Sequence, residues 1–287
     1  MTSTENHSSS TGHAMAASNW LDAHFRFAQP EYEAQARMVG IRPGWRVLDA
    51  GCGGGSFLPL LAELVGPGGM LTALDLAPEN VSTVEALAAN GALACPVEAH
   101  IGGVTALPFA DATFDALWCA NVSQYLTDGE LAATLAEFRR VVRPGGLIAI
   151  KDSDANVMNY PHRVPGLFLR SRVARLAASD PGLWGVLRTP HLREALLAVG
   201  LDEVWQRTSV IERSGPFTPE MGGFVAAALR SFAAQALAAD LPAADRVEWT
   251  RLRDEAVQEV VDPAFNFREG NVLAVGRVPQ TAAEGAR

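Results

Sequence analysis

Cysteine and concentrated charge are both in short supply in this chain. The three cysteines, Cys52, Cys95 and Cys119, form no C-x-x-C pair and are odd in number. That argues against a disulfide framework or a structural zinc site and fits a reducing, cytoplasmic setting. Histidine is equally dispersed. His7 and His13 lie near the start, and His24, His100, His162 and His191 have no helical i, i+4 partner, so no metal constellation is expected. The formal net charge is −9. An acidic chain with no dense Lys/Arg run repels a phosphate backbone, so nucleic acid is not an expected partner. The nearest thing to a basic cluster, Arg139, Arg140 and Arg143, reads as the solvated end of a helix. No apolar run reaches the length of a membrane span, and no membrane partner is expected. The polar opening MTSTENHSSSTGHAMAAS lacks the apolar stretch of a signal peptide and reads as a disordered tail.

What is present is ample core material, 48% hydrophobic over 287 residues, arranged in a regular alternation. After IRPG, the run WRVLDA reads as a strand, FLPLLAELVG as a helix, MLTALDL as a strand, ENVSTVEALAANG as a helix and CPVEAHI as a strand. FDALWCANV, DGELAATLAEFRRVV and GGLIAIKD continue as strand, helix and strand. Continuous apolar strands alternating with amphipathic helices predict a parallel sheet covered on both faces, with ligands at the carboxyl edge where strand order reverses. The pattern breaks after Asp152. Residues from Ser153 to Leu187 show no strand of their own, HLREALLAVGL resumes as a helix, VWQRTSVI reads as a strand, and an Ala-rich helical stretch from Pro219 to Val261 precedes a last strand, NVLAVGRV. Ahead of the sheet, the aromatics Trp20, Phe25, Phe27 and Tyr32 flank a breaker at Pro30.

The densest signal is VLDAGCGGGSF, Val47 to Phe57, with four glycines in five residues. Glycine is costly to order, so such a cluster marks a very tight turn or a ligand lying on bare backbone. A dinucleotide loop reads G-x-G-x-x-G, but Ser56 stands at its third position and Asp49 just before it would repel a pyrophosphate. The carboxylate suits a ligand offering ammonium and hydroxyl groups.

At this point the sequence resembles the class I S-adenosylmethionine-dependent methyltransferases. The resemblance rests on the glycine loop, on Asp75 at the end of LTALD, on TALPFADATFDALWCANV and on RVVRPGGLIAIKD, which together cover about Arg42 to Asp152. It is most similar locally to the ubiquinone/menaquinone-biosynthesis type. It implies an α/β, Rossmann-like fold: a mostly parallel sheet of seven strands with helices on both faces, an antiparallel last strand and helical cap insertions. The implied organisation is a tail (1–18), an N-terminal helical lid (19–41), the cofactor-binding core (42–152), a helical cap insertion (153–190), core continued (191–215), a second helical insertion (216–265), the last strand (266–279) and a tail (280–287).

The resemblance also assigns residues. S-adenosyl-L-methionine would be held at its methionyl end by Asp49, Gly51 and Gly53, with Asn121 and Tyr32 beside it. Asp75 and Leu76 would take the ribose. Where relatives often carry an acidic residue for adenine, this chain has Gly103, leaving backbone such as the Val104 N–H, or His100, to hold the base. Methyl transfer needs a general base only when the acceptor must lose a proton. Candidates are His162, Tyr160, Asp152 and Asp154, with Gln124 and Tyr125 after strand four. Phe168, Leu169, Trp184, Phe224 and Phe232 would line an apolar acceptor pocket or, alternatively, a homodimer surface. The expected acceptor is a small hydrophobic metabolite. Rival expectations are a protein acceptor, a chain that binds the cofactor without methylating, and a nicotinamide oxidoreductase, the last disfavoured by Asp49 and Ser56.

Overall fold

Short apolar runs punctuated by glycine build the sheet. The computed structural model describes residues 18–159 and 164–280. Helix α1 (Ser18–Met38) leads into β1 (Arg46–Ala50), α2 (Leu58–Val65), β2 (Met70–Asp75), α3 (Pro78–Ala89), β3 (Val97–Ile101), β4 (Phe114–Ala120) and α4 (Asp128–Val141). Then come β5 (Val142–Asn159), α5 (Leu167–Ala177), α6 (Pro181–Arg188), α7 (Leu192–Ala198), β6 (Asp202–Ser214), α8 (Pro219–Leu237), α9 (Ala243–Asp254), α10 (Ala256–Val260) and β7 (Asn266–Arg277). The seven strands lie in the order β3-β2-β1-β4-β5-β7-β6. The pairs from β3 through to β5 are parallel, and β7 runs antiparallel to both its neighbours. Strand order reverses between β1 and β4, which opens a crevice at their carboxyl ends.

Alternate side chains of each strand feed opposite faces. Val47, Ala73, Trp118 and Ala149 pack under α1, α2 and the helices inserted before β7. Leu48, Leu74, Leu117 and Ile150 pack against Leu131, Leu135 and Phe138 of α4 and Leu192 and Leu196 of α7.

Two elements differ from the sequence expectation. Pro30 does not break the lead: α1 runs through it, because Phe27, Ala28, Tyr32 and Ala36 form a buried face that outweighs one missing helical hydrogen bond. The region after Asp152 is not strandless. β5 continues to Asn159, since β7 begins at Asn266 and pairs with it at Ser153↔Asn271 and Asp154↔Gly270. The sequence SDANVMN lacks an alternating pattern, and the strand exists because its partner does.

Helix α6 braces the turn that follows β4, a single 3-10 turn at Ser123–Tyr125. Arg188 donates to the Ser123 and Leu126 carbonyls, each at 2.8 Å. Gly185 sits so close that a Cβ there would fall on the Gln124 carbonyl oxygen. Gly185→Ala is therefore expected to cost about 1–3 kcal/mol of stability by overpacking. Urea unfolding checks this: the midpoint should fall at constant slope, and an unchanged midpoint would mean that α6 is not seated on this turn.

Candidate functional site

The loop after β1 is bent by glycine and pinned by β2. Gly51, Gly53 and Gly55 take φ of 78°, 53° and 86°, the left-handed region that other residues enter at a cost. The N–H groups of Gly51 and Cys52 both donate to the Leu74 carbonyl, at 2.7 and 3.0 Å. The Gly53 N–H donates to the Asp75 carboxylate at 2.8 Å, whose other oxygen accepts from the Ala77 N–H and the Asn80 side chain. Ser56 donates to Asp22, which ties the loop to α1. Burial pushes the Cys52 thiol far up, making it a small inert side chain here.

A cavity of about 270 Å³ lies over this loop. Of the residues expected to bind a cofactor, Asp49, Gly51, Gly53, Asp75, Leu76, Gly103, Val104, Asn121 and Tyr32 line it, and His100 does not. Asp49 is 1% exposed, and its Oδ2 has no hydrogen-bond partner. Burial and then the neighbouring Asp75 charge push its pKa up to about 8. An orphaned carboxylate facing a cavity is a site that wants a cationic donor, which an ammonium group provides. Below about pH 8 such a ligand must displace a proton from Asp49. Affinity for an ammonium-bearing ligand should therefore rise with pH through that range, and Asp49→Asn should flatten the rise. Calorimetric titration from about pH 6 to 8 checks this, and a pH-independent wild type would contradict it.

Beyond the loop, Asn121 ends β4 in a left-handed conformation (φ 59°). Its N–H donates to the Lys151 carbonyl at 2.8 Å and its Oδ1 accepts from Lys151 Nζ at 2.7 Å. That ammonium nitrogen also lies 3.5 Å from the centroid of the Tyr32 ring. Burial lowers Lys151 to about 7, against the charges of Glu269 and Asp152, which favour its protonated form. Tyr32 stacks on Phe57, and Phe25 meets Phe57 edge-on, so an aromatic wall closes this end.

Among the described residues, Tyr125 alone of the expected bases lines the cavity. Asp152 is fully buried and is not among the lining residues; its carboxylate accepts from the Ser123 hydroxyl at 2.6 Å and the N–H groups of Gln124 and Ser153. It holds the turn after β4, although burial raises its pKa. Asp154 accepts from the Asn156 N–H. Tyr125 does line the cavity, but burial and the charges of Asp152 and Glu269 push its phenol up to about 12, so it stays protonated near neutrality. Tyr160 and His162 lie outside the described residues. His100 packs edge-on to Phe109 and does not line the cavity, whereas Gly102 to Thr105 do.

The expected apolar pocket residues also go elsewhere. Phe168 packs on Trp249 and Phe232, and Phe224 on Phe27, joining the inserted helices to each other and to α1. Leu169 and Trp184 are exposed. None of these lines the cavity. Phe25, from the expected N-terminal lid, lines it, together with His24, Phe57 and Thr105, to which the sequence reading gave no such place.

Residues 47–146 match the family model described as a methyltransferase domain. Malonyl-[acyl-carrier protein] O-methyltransferase of Erwinia billingiae is 36% identical over 127 residues, 44% of this chain and 46% of that protein. Nocamycin O-methyltransferase of Saccharothrix syringae is 33% identical over 43% of each chain. Demethylmenaquinone methyltransferase of Bacillus subtilis is 33% identical over 43% of this chain and 52% of its own. The chain thus spans about half the length of these curated relatives. Among solved structures, phosphoethanolamine N-methyltransferase 2 of Haemonchus contortus in complex with S-adenosyl-L-methionine aligns with a TM-score of 0.54 at 15% identity, over 90% of this chain and 56% of that one. The YcgJ protein of Bacillus subtilis aligns at 0.50 and 16% identity, over 91% and 99%. With β3-β2-β1-β4-β5-β7-β6 order and an antiparallel β7, the chain has the fold of these solved structures, and within it residues 47–146 form a methyltransferase domain.

Proposed function

We propose that the chain is an enzyme that moves a methyl group from S-adenosylmethionine to a hydroxyl, amine or carbon of a small, largely hydrophobic metabolite, of secondary-metabolite or quinone-like type. The observation that carries this reading is Asp49, whose buried Oδ2 has no hydrogen-bond partner, set in the wall of a cavity that runs from Asp75 to an aromatic end at Phe25, Tyr32 and Phe57. On this reading Asp49, Gly51 and Gly53 take the ammonium end of the cofactor, with Asn121 and Tyr32 beside it. Asp75 and Leu76 take the ribose, and Gly103, Val104 and Thr105 flank the adenine. The bound cofactor supplies an already activated, electrophilic methyl group. The chain's residues then have to orient the acceptor and exclude water, and orientation alone can contribute roughly 7–11 kcal/mol. Helix α1 serves as the lid that brings Phe25 and Tyr32 over the site, and α8, inserted before β7, packs behind it through Phe224 on Phe27. The names of relatives that act on nocamycin and demethylmenaquinone support a small acceptor. Three buried, free cysteines suit a reducing cytoplasm.

Transfer of label from methyl-labelled S-adenosylmethionine tests the reading, with a panel of phenols, quinols, amines and polyketide or terpenoid compounds as acceptors. Label should appear on one acceptor class and vanish in Asp75→Ala. Label on protein only, or cofactor binding with no transfer to any acceptor or to cell extract, would overturn it.

A further inference from the structure

Beside Tyr32 in the cavity wall stands His24, paired with Glu269 behind it, and neither belongs to the matched domain. His24 comes from α1 and Glu269 from β7, 245 residues apart in sequence. The ring Nε2 lies 3.1 Å from one carboxylate oxygen of Glu269 and 3.2 Å from the other. The ring is fixed from two more sides. It stacks on Phe224 at 5.3 Å and 11°, and Tyr32 meets it edge-on, with the phenol oxygen 3.2 Å from Nε2. It lines the cavity and keeps 16% of its side chain exposed, whereas Glu269 is 3% exposed. Ser153 and Asn271 also donate to the Glu269 carboxylate. Burial alone would push Glu269 up, but His24, Lys151 and Asn271 outweigh it and hold the group below the usual carboxylate range. So a buried anion stands behind an imidazole that faces the cavity. Among the groups facing that imidazole are Tyr32 on its own helix, Glu269 from β7 and the uncharged Phe224 from α8. Lys151 from β5 lies on the Tyr32 ring, whose phenol oxygen contacts Nε2.

Resting on the methyltransferase reading above, the geometry points to His24 as the general base of the reaction, oriented by Glu269, and to an acceptor that must lose a proton, a phenol or enol hydroxyl. As the acceptor oxygen bonds the methyl carbon, the carbon–sulfur bond breaks and its electron pair stays with sulfur. The hydroxyl proton passes to the His24 ring, and solvent takes it after the product leaves. Glu269 balances the imidazolium charge in between, the role an acidic partner plays beside a histidine base.

The test compares the full-length wild type with His24→Gln and Glu269→Gln in three readouts. Calorimetry with S-adenosylhomocysteine reports whether the cofactor site is intact. Absorbance of 4-nitrophenol added to the S-adenosylhomocysteine complex reports whether the bound phenol ionises. Methyl transfer to ring-substituted phenols of graded acidity reports catalysis. Cofactor affinity should stay within about threefold in both variants. Bound nitrophenol should be phenolate in wild type and neutral phenol in His24→Gln. Transfer to weakly acidic phenols should fall by about 10²–10⁴-fold in His24→Gln. That loss should shrink steadily for phenols already ionised at the assay pH. Glu269→Gln should show a smaller loss with the same dependence on acidity. An equal loss for every phenol would mean that the pair only braces α1 on β7 and would overturn the proposal. Wild type that labels carbon or amine acceptors and refuses all phenols would overturn it as well. A wild type that fails to bind S-adenosylhomocysteine would sink the methyltransferase reading itself, which the calorimetry separates from failure of the base.

Discussion

Asp75→Ala is expected to weaken cofactor binding by roughly a hundredfold or more. Asp75 has two jobs. Its carboxylate anchors the Gly53 N–H at 2.8 Å and the Ala77 N–H and Asn80 side chain at 3.0 Å, and it lines the cavity where ribose hydroxyls are assigned. Removing it leaves those donors unpaired in a largely closed site, at about 1–3 kcal/mol for each buried donor. It also removes two acceptors from the ligand. Even one such loss on each side weakens affinity by roughly a hundredfold or more. Calorimetry with S-adenosylhomocysteine measures the effect directly. Asp75→Asn, which keeps an acceptor oxygen but cannot serve every donor, should fall between the two. Wild-type affinity in Asp75→Ala would remove this residue from the site.

Gly51→Ala is expected to produce the second largest loss. Gly51 holds φ at 78°, where an alanine costs about 1–2 kcal/mol. Its new Cβ would also press into a γ-methyl of Val122, a branched side chain with little freedom to turn away. Relief of that clash costs about another 1–3 kcal/mol. The strain falls where the chain turns from β1 towards Asp75 and where Val122 follows Asn121, so both walls of the cavity are displaced together. Thermal unfolding should shift downward and cofactor affinity should drop by at least an order of magnitude. Gly40→Ala is a fair control, since its φ of 86° carries similar strain but a Cβ there meets nothing within 4 Å. It should lose stability and keep cofactor affinity.

The order of strands and helices through β5 was legible because buried parallel strands are continuous apolar runs and their crossover helices are amphipathic. The glycine-loop wall of the cavity was legible for a related reason: a tight turn after a strand needs glycine at fixed places, with Asp49 just before it and Asp75 at the end of the next strand. The far end of the cavity was not legible. His24 and Glu269 come from opposite ends of the chain, and no local pattern connects them. Lys151 reads as one more strand residue until Asn121 and Tyr32 are seen around it. Aromatic residues misled most. Phe168 and Phe224 look like pocket walls by composition but are consumed in packing helices, because a hydrophobic side chain carries no label telling core from cavity. The extension of β5 was hidden for the same reason: pairing with β7, not its own residues, makes it a strand.

The central claim is that the cavity over the glycine loop takes S-adenosylmethionine through Asp49 and Asp75. The most direct measurement is calorimetric titration of the full-length chain with S-adenosylmethionine, run beside a titration with a nicotinamide dinucleotide. The account predicts binding of S-adenosylmethionine at a single site, release of a proton below about pH 8 as Asp49 ionises, and no heat from the dinucleotide. Binding of the dinucleotide instead, or no binding of S-adenosylmethionine across that pH range, would contradict it.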